Sequence, residues 1–280
     1  MQDPGLRPEA CRGQRLMKDW DDAFANSAHI PGSGDFPAQW AAAALAYRGS
    51  GRRIDLNVGY GPGPRDCFDL VWPDGQPKGL AVFVHGGYWM QSDKSFWTDL
   101  AEGARALGWL VCLPGYALAP TVRISAITRQ IGQAISAAAE RVAGPIRLAG
   151  HSAGGHLVAR MICTDTPLSP DLSARIGRTL SISGVHDLRP LRHTRMNATL
   201  GLDGAEAALE SPALLRPIAT ARLTCWVGGG ERPEFLRQAR LMARRWHGSA
   251  DCVVDGMHSH FSVLDGLRDP ASPITGAFVG

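Results

Sequence analysis

Residues 145–162 read PIRLAGHSAGGHLVARMI, and the middle of that stretch decides the fold. Pro145–Leu148 is an apolar run that predicts a strand, and Gly154–Ile162 predicts a helix. Between them lies Gly150-His151-Ser152-Ala153-Gly154, a Gly-x-Ser-x-Gly turn. A serine lifted between strand and helix needs a sharp, crowded turn, and side chains at 150 and 154 would block it. The helix that follows turns its positive N-terminal end toward the serine. Ser152 is therefore the candidate nucleophile.

Working outward, Gly79–His85 (GLAVFVH) reads as a strand buried on both faces, and it stops at Gly86-Gly87. Paired glycines let backbone approach a substrate closely. The N–H groups of Gly86 and Gly87, with that of Ala153 after the nucleophile, are the candidate oxyanion hole. His85 is read as a brace for this loop. Residues 37–48 predict an Ala-rich helix, and Arg53–Val58 with Cys67–Trp72 an antiparallel pair at a sheet edge. A helix over Lys94–Leu107 and a strand over Trp109–Leu113 follow. Ile124, Ile127, Ile131, Ile135 and Val142 then recur at helical spacing. Strands at Thr179–Ser183, Leu223–Val227 and Asp251–Val254, with a helix over Pro233–Trp246, complete the order. The alternation predicts an α/β fold, a mostly parallel central sheet with helices on both faces. The long segment 186–221 is expected to form part of a cap or substrate wall.

A serine hydroxyl is a weak nucleophile until a base takes its proton. The chain order serine, acid, histidine puts the base after the last strand, where His258 and His260 alternate. His260 precedes Phe261 and a helix-like run, and is preferred; His258 is read as a loop brace or a substrate-side residue. His151 and His156 flank the serine and are read as packing. For the acid, Glu231 in the turn Gly228-Gly229-Gly230-Glu231 before Pro233 is preferred, with Asp187 as its rival. Glu234 is read as favouring the helix dipole only.

Composition excludes several classes. Of 280 residues, 45% are hydrophobic and 20% charged, and a net charge of +3 is scattered without a basic run, which argues against nucleic-acid binding. Cysteines at 11, 67, 112, 163, 225 and 252 form no CxxC pair, so reduced thiols are expected. The opening MQDPGLRPEACRGQRLMKDW lacks the apolar core of a secretory signal, and no apolar stretch is long enough to span a membrane. The expectation is a cytoplasmic protein with a loose leader over 1–16 and a single domain over 17–280, Met17 being an alternative start. No metal or organic cofactor is implied. The expected partner is a small acyl substrate, not nucleic acid or membrane.

With these residues placed, the chain resembles the kynurenine formamidase (arylformamidase) branch of the α/β hydrolases, and is similar to bacterial esterase and thioesterase homologues. The resemblance is carried by HGGYW at 85–89, GHSAGGHL at 150–157, SGVHDLRPL at 183–191, GGGERPEFLRQ at 228–238 and HSHF at 258–261. It implies an α/β-hydrolase fold, a Ser152–His260–Glu231 triad, and hydrolysis of a formyl amide on an aromatic amine such as N-formylkynurenine. The sequence departs from the family at the acid, typically aspartate, where Glu231 stands. Tyr88 and Trp89 are candidates for an aromatic substrate wall; Trp97 is read as core. Two alternatives stay open: a carboxylesterase or thioesterase for short acyl groups, and a binding protein of this fold without turnover.

Overall fold

The computed structural model describes residues 18–256 and 258–280. The expected leader over 1–16, with Cys11, and Met17 lie outside the described residues. Eight strands form one sheet: β1 (Ile54–Gly59), β2 (Cys67–Val71), β3 (Leu80–Val84), β4 (Leu110–Pro114), β5 (Ile146–His151), β6 (Ile176–Ile182), β7 (Leu223–Gly228) and β8 (Ala250–Asp255). Their spatial order is β1-β2-β4-β3-β5-β6-β7-β8. β1 pairs antiparallel with β2, and β2 with β4. From β4 to β8 every pairing is parallel.

The alternation of side chains along a strand divides the core in two. Leu80, Val82 and Val84 of β3 join one apolar cluster with the helix Ile124–Ala139, while Ala81 and Phe83 join the other with Trp97, Leu100 and Phe278. All five residues of β3 are buried, so both sheet faces are covered. The chain leaves β3 for β4 on one side and later adds β5 on the other. The loops after β3 and β5 therefore diverge at the carboxyl ends of neighbouring strands, the crevice in which open α/β sheets bind ligands. Among the described residues no helix is long and apolar enough to cross a membrane.

One expectation needs correction. Lys94–Leu107 is not one helix but two 3₁₀ turns, Lys94–Phe96 and Thr98–Ala101, and a short α-helix, Glu102–Ala106. Trp97 breaks the run at φ −126° and ψ 10°, with its ring held between Trp40 and Phe83. Segment 186–221, expected to form part of a cap or substrate wall, contains four short helical turns between Arg189 and Leu214. Helices at Trp20–Phe24, Pro170–Arg175 and Pro273–Val279 were not anticipated. The last two carry legible Ser-Pro starts, with Ser169 and Ser272 accepting from the N–H groups of Leu172 and Thr275.

Lys94 is buried, and its Nζ reaches Asp69 Oδ1 at 2.6 Å and Asn57 Oδ1 at 2.8 Å, which ties the segment behind the HGGYW loop to β1 and β2. Removing one member of a buried pair strands the other charge. Lys94→Met is expected to cost about 3–5 kcal/mol in urea denaturation, and adding Asp69→Leu should recover most of that loss. A wild-type midpoint for Lys94→Met would show that the pair carries no weight.

Candidate active site

Ser152 stands between β5 and the helix Ala153–Arg160 with φ 54° and ψ −115°, a backbone state that L-residues avoid. Its N–H is held by the Ile182 carbonyl of the neighbouring strand at 2.8 Å. Steric crowding explains the flanking glycines. A Cβ on Gly154 would sit 2.0 Å from the Val84 carbonyl oxygen, and one on Gly150 2.2 Å from the Gly154 oxygen. The elbow is thus pressed onto the end of β3, where the HGGYW loop begins.

In that loop a Cβ on Gly86 would lie 3.0 Å from Ser152 Cβ, so the backbone passes beside the serine. Gly87, Tyr88 and Trp89 follow with φ of 105°, 50° and 58°. The Gly87 carbonyl accepts from Met90 and Gln91, each at 3.0 Å, and closes this tight left-handed turn. His85 braces it: Nδ1–H donates to the Gly86 carbonyl at 2.8 Å, and the ring stacks on Tyr116 at 4.3 Å. The two aromatic candidates separate. Trp89 is 0% exposed and packs edge-on against His156, so it is a core side chain and not part of a substrate wall. Tyr88 remains partly exposed, with its hydroxyl donated to the Phe24 carbonyl at 2.5 Å. Trp97 is core, as expected.

His260 Nδ1–H donates to Glu231 Oε2 at 2.6 Å. The carboxylate is answered elsewhere too: Oε1 accepts from Ser183 Oγ at 2.5 Å and from the Gly228 N–H at 2.8 Å, and Oε2 from Asn26 Nδ2 at 3.2 Å. His260 is fixed to the elbow, because its carbonyl accepts from His151 Nε2 at 2.8 Å and the two rings lie 4.6 Å apart. Ser152, Glu231 and His260 are 3%, 6% and 5% exposed. The rivals point elsewhere. Asp187 makes a two-pronged ion pair with Arg189, each contact at 2.9 Å. His258 Nδ1 meets Ser262 Oγ at 3.2 Å, a loop brace. Glu234 does more than complement a dipole: it pairs with Lys18 at 2.5 Å and Arg237 at 2.6 Å.

Sequence reasoning did not single out Ser183 or Asn26. Ser183 lies within a quoted motif and has φ 53°, which aims its hydroxyl at Glu231; Asn26 carries no motif signal at all. Among the described residues no group of three or more His, Cys, Asp or Glu side chains is set to hold a metal ion.

Residues 81–221 match the model of a family described as the alpha/beta hydrolase fold, and the chain belongs to that family. It is an enzyme, a hydrolase. It is 28% identical to a kynurenine formamidase of Danio rerio over 227 residues, 76% of this chain and 77% of that one. A kynurenine formamidase of Salmo salar is also 28% identical, over 66% of this chain and 65% of its own length. A crystal structure of a provisionally named thioesterase from a Silicibacter species superposes with a TM-score of 0.91 at 48% identity, covering 94% of this chain and all of that one. Esterase B of Lactobacillus rhamnosis, at 17% identity and a TM-score of 0.64 over 94% of this chain and 93% of that one, shares the fold.

Besides His260, four histidines among the described residues are buried. Burial pushes His85 down to about 4, His156 and His186 down to about 3, and His151 well below its ordinary value. At pH 7.5 these rings are neutral whether the chain is folded or unfolded. Below roughly pH 6.5 the unfolded chain takes up protons that the folded one refuses. Stability should therefore fall as pH drops from about 6.5 toward 4, by up to about 1.4 kcal/mol per pH unit per histidine. Urea midpoints at pH 7.5, 6 and 5 test this, and a flat series would contradict it.

Proposed function

We propose that this hydrolase acts through Ser152, His260 and Glu231, and that its substrate is an aryl formamide such as N-formylkynurenine. The observation that carries the triad is the 2.6 Å bond from His260 to a fully engaged Glu231, on a loop whose carbonyl is tied to the residue before Ser152. His260 takes the Ser152 proton on Nε2 while Oγ attacks the formyl carbon. N–H groups of Gly86, Gly87 and Ala153 receive the charge that develops on the carbonyl oxygen. As the C–N bond breaks, His260 returns the proton to the arylamine nitrogen, leaving a formyl-serine. Water, deprotonated by His260, then releases formate. Glutamate in place of the family's aspartate reaches the imidazole here, which supports an active enzyme. The likeness to the Danio rerio kynurenine formamidase over three quarters of the chain supports the formamide.

A second reading has its own support: the 48% identity with the provisionally named thioesterase favours a short-chain thioester or ester, cleaved by the same residues.

Ser152→Ala should abolish turnover and fluorophosphonate labelling while the fold persists. His260→Ala should lower kcat at least about a thousandfold and His258→Ala about tenfold or less. Glu231→Gln should act on kcat, and Asp187→Asn chiefly on stability. The reverse order within either pair would reassign the residues. The substrate is tested by kcat/KM for N-formylkynurenine beside p-nitrophenyl formate, acetate and butyrate and short acyl thioesters. No formamide cleavage, with rates climbing from acetate to butyrate, would favour the ester or thioester reading.

A further inference from the structure

The segment around the helix Trp20–Phe24 lies against both the acid loop and the oxyanion loop, and one of its side chains touches the proposed triad. Asn26 is 5% exposed. Its Oδ1 accepts from the Arg232 N–H at 2.8 Å, and its Nδ2 donates to Glu231 Oε2 at 3.2 Å. The first bond fixes the amide. A backbone N–H can only donate, so the oxygen must face Arg232 and the NH₂ group must face the carboxylate. The oxygen it meets is the one that accepts from His260. The segment is anchored independently of that contact. Phe24 accepts from Tyr88 through its carbonyl and packs edge-on against Phe235, and Asp22 holds the Arg232 guanidinium.

We propose that Asn26 is a positioning residue of the hydrolytic site, fixing the direction and strength with which Glu231 accepts from His260. The proposal rests on the triad reading. A donor on Oε2 holds the carboxylate at the angle His260 needs. It also draws off some of the negative charge that would otherwise stabilise the imidazolium. The other groups facing the pair stay in one state across the working range. Burial keeps His151 neutral and pushes the Tyr88 phenol well up, and Ser183 is a hydroxyl donor. On the same segment Asp22 meets Arg232 and His29, Asp21 pairs with Arg195, and Lys18 with Glu234. A pH profile therefore reads the Glu231–His260 pair.

The decisive variant is Asn26→Asp, which keeps the acceptor for Arg232 N–H and turns the donor facing Glu231 into a second acceptor. We expect kcat at pH 8 to fall about tenfold, the scale of one hydrogen bond to a charged group, with KM within about twofold. The deficit against wild type should shrink as pH falls, because two facing carboxylates come to share a proton. Asn26→Ala should also lose about tenfold in kcat. With one donor gone, the acidic limb of kcat/KM should move up by about half a pH unit. Both variants are assayed with the better of p-nitrophenyl acetate and N-formylkynurenine, beside thermal melts and Glu231→Gln. Wild-type kcat in Asn26→Asp, or losses that follow Tm alone with unmoved pH limbs, would overturn the proposal. A near-wild-type Glu231→Gln would instead remove the triad reading itself. A crippled Glu231→Gln beside an unaffected Asn26→Asp would sink only the role of Asn26.

Discussion

A carboxylate taken out of water must have its lone pairs answered, and Glu231 meets that demand with groups from four separate stretches of chain. Ser183 comes from the end of β6, Gly228 from the end of β7, His260 from the loop after β8, and Asn26 from the N-terminal segment. Each of these loops leaves the same edge of the parallel sheet except the last, which packs across it. Satisfying one buried charge thus fixes where several loops go, and it brings His260 to the elbow through the bond from His151.

The same edge holds most of the backbone strain. Ser152, Ser183, Tyr88 and Trp89 are non-glycine residues with φ between 50° and 58°. Such residues cost of order 1–3 kcal/mol each and persist only where their surroundings over-determine them. Here the surroundings are strand ends: Ser152 N–H bonds to Ile182, Ser183 N–H to Trp226, and the HGGYW turn closes on the Gly87 carbonyl. β3, buried throughout, and β5, buried except at Arg147, supply the rigid base. Their apolar character and the glycines between strand and helix are the features that local sequence states most plainly.

That difference explains what was legible. The elbow, the glycine pair after β3, the turn at Glu231 and the HSHF loop each write their geometry in a few consecutive residues, so the succession of strands along the chain and the candidates for the acid and the base could be read directly. The helix placed over Lys94–Leu107 was misread because its residues suit a helix locally, while burial of Lys94 and Trp97 bends the chain. Trp89 was misplaced for a related reason: adjacency to Gly86 and Gly87 says nothing about which way a side chain at φ 58° turns. Asn26 was invisible because its partner lies 205 residues away, and a single asparagine in a polar stretch has no pattern to betray it.

Under the proposed triad, the leaving group sets the demand on His260. A thiolate departs without help, whereas an arylamine cannot leave as an anion near neutral pH, so its departure would depend on the proton that His260 returns. That return requires an imidazole whose orientation does not drift between the two proton transfers. Ser183, Gly228 and Asn26 hold the Glu231 carboxylate, and the carboxylate holds His260 Nδ1. The second ring nitrogen is then the one left to carry a proton between Ser152 and the leaving group.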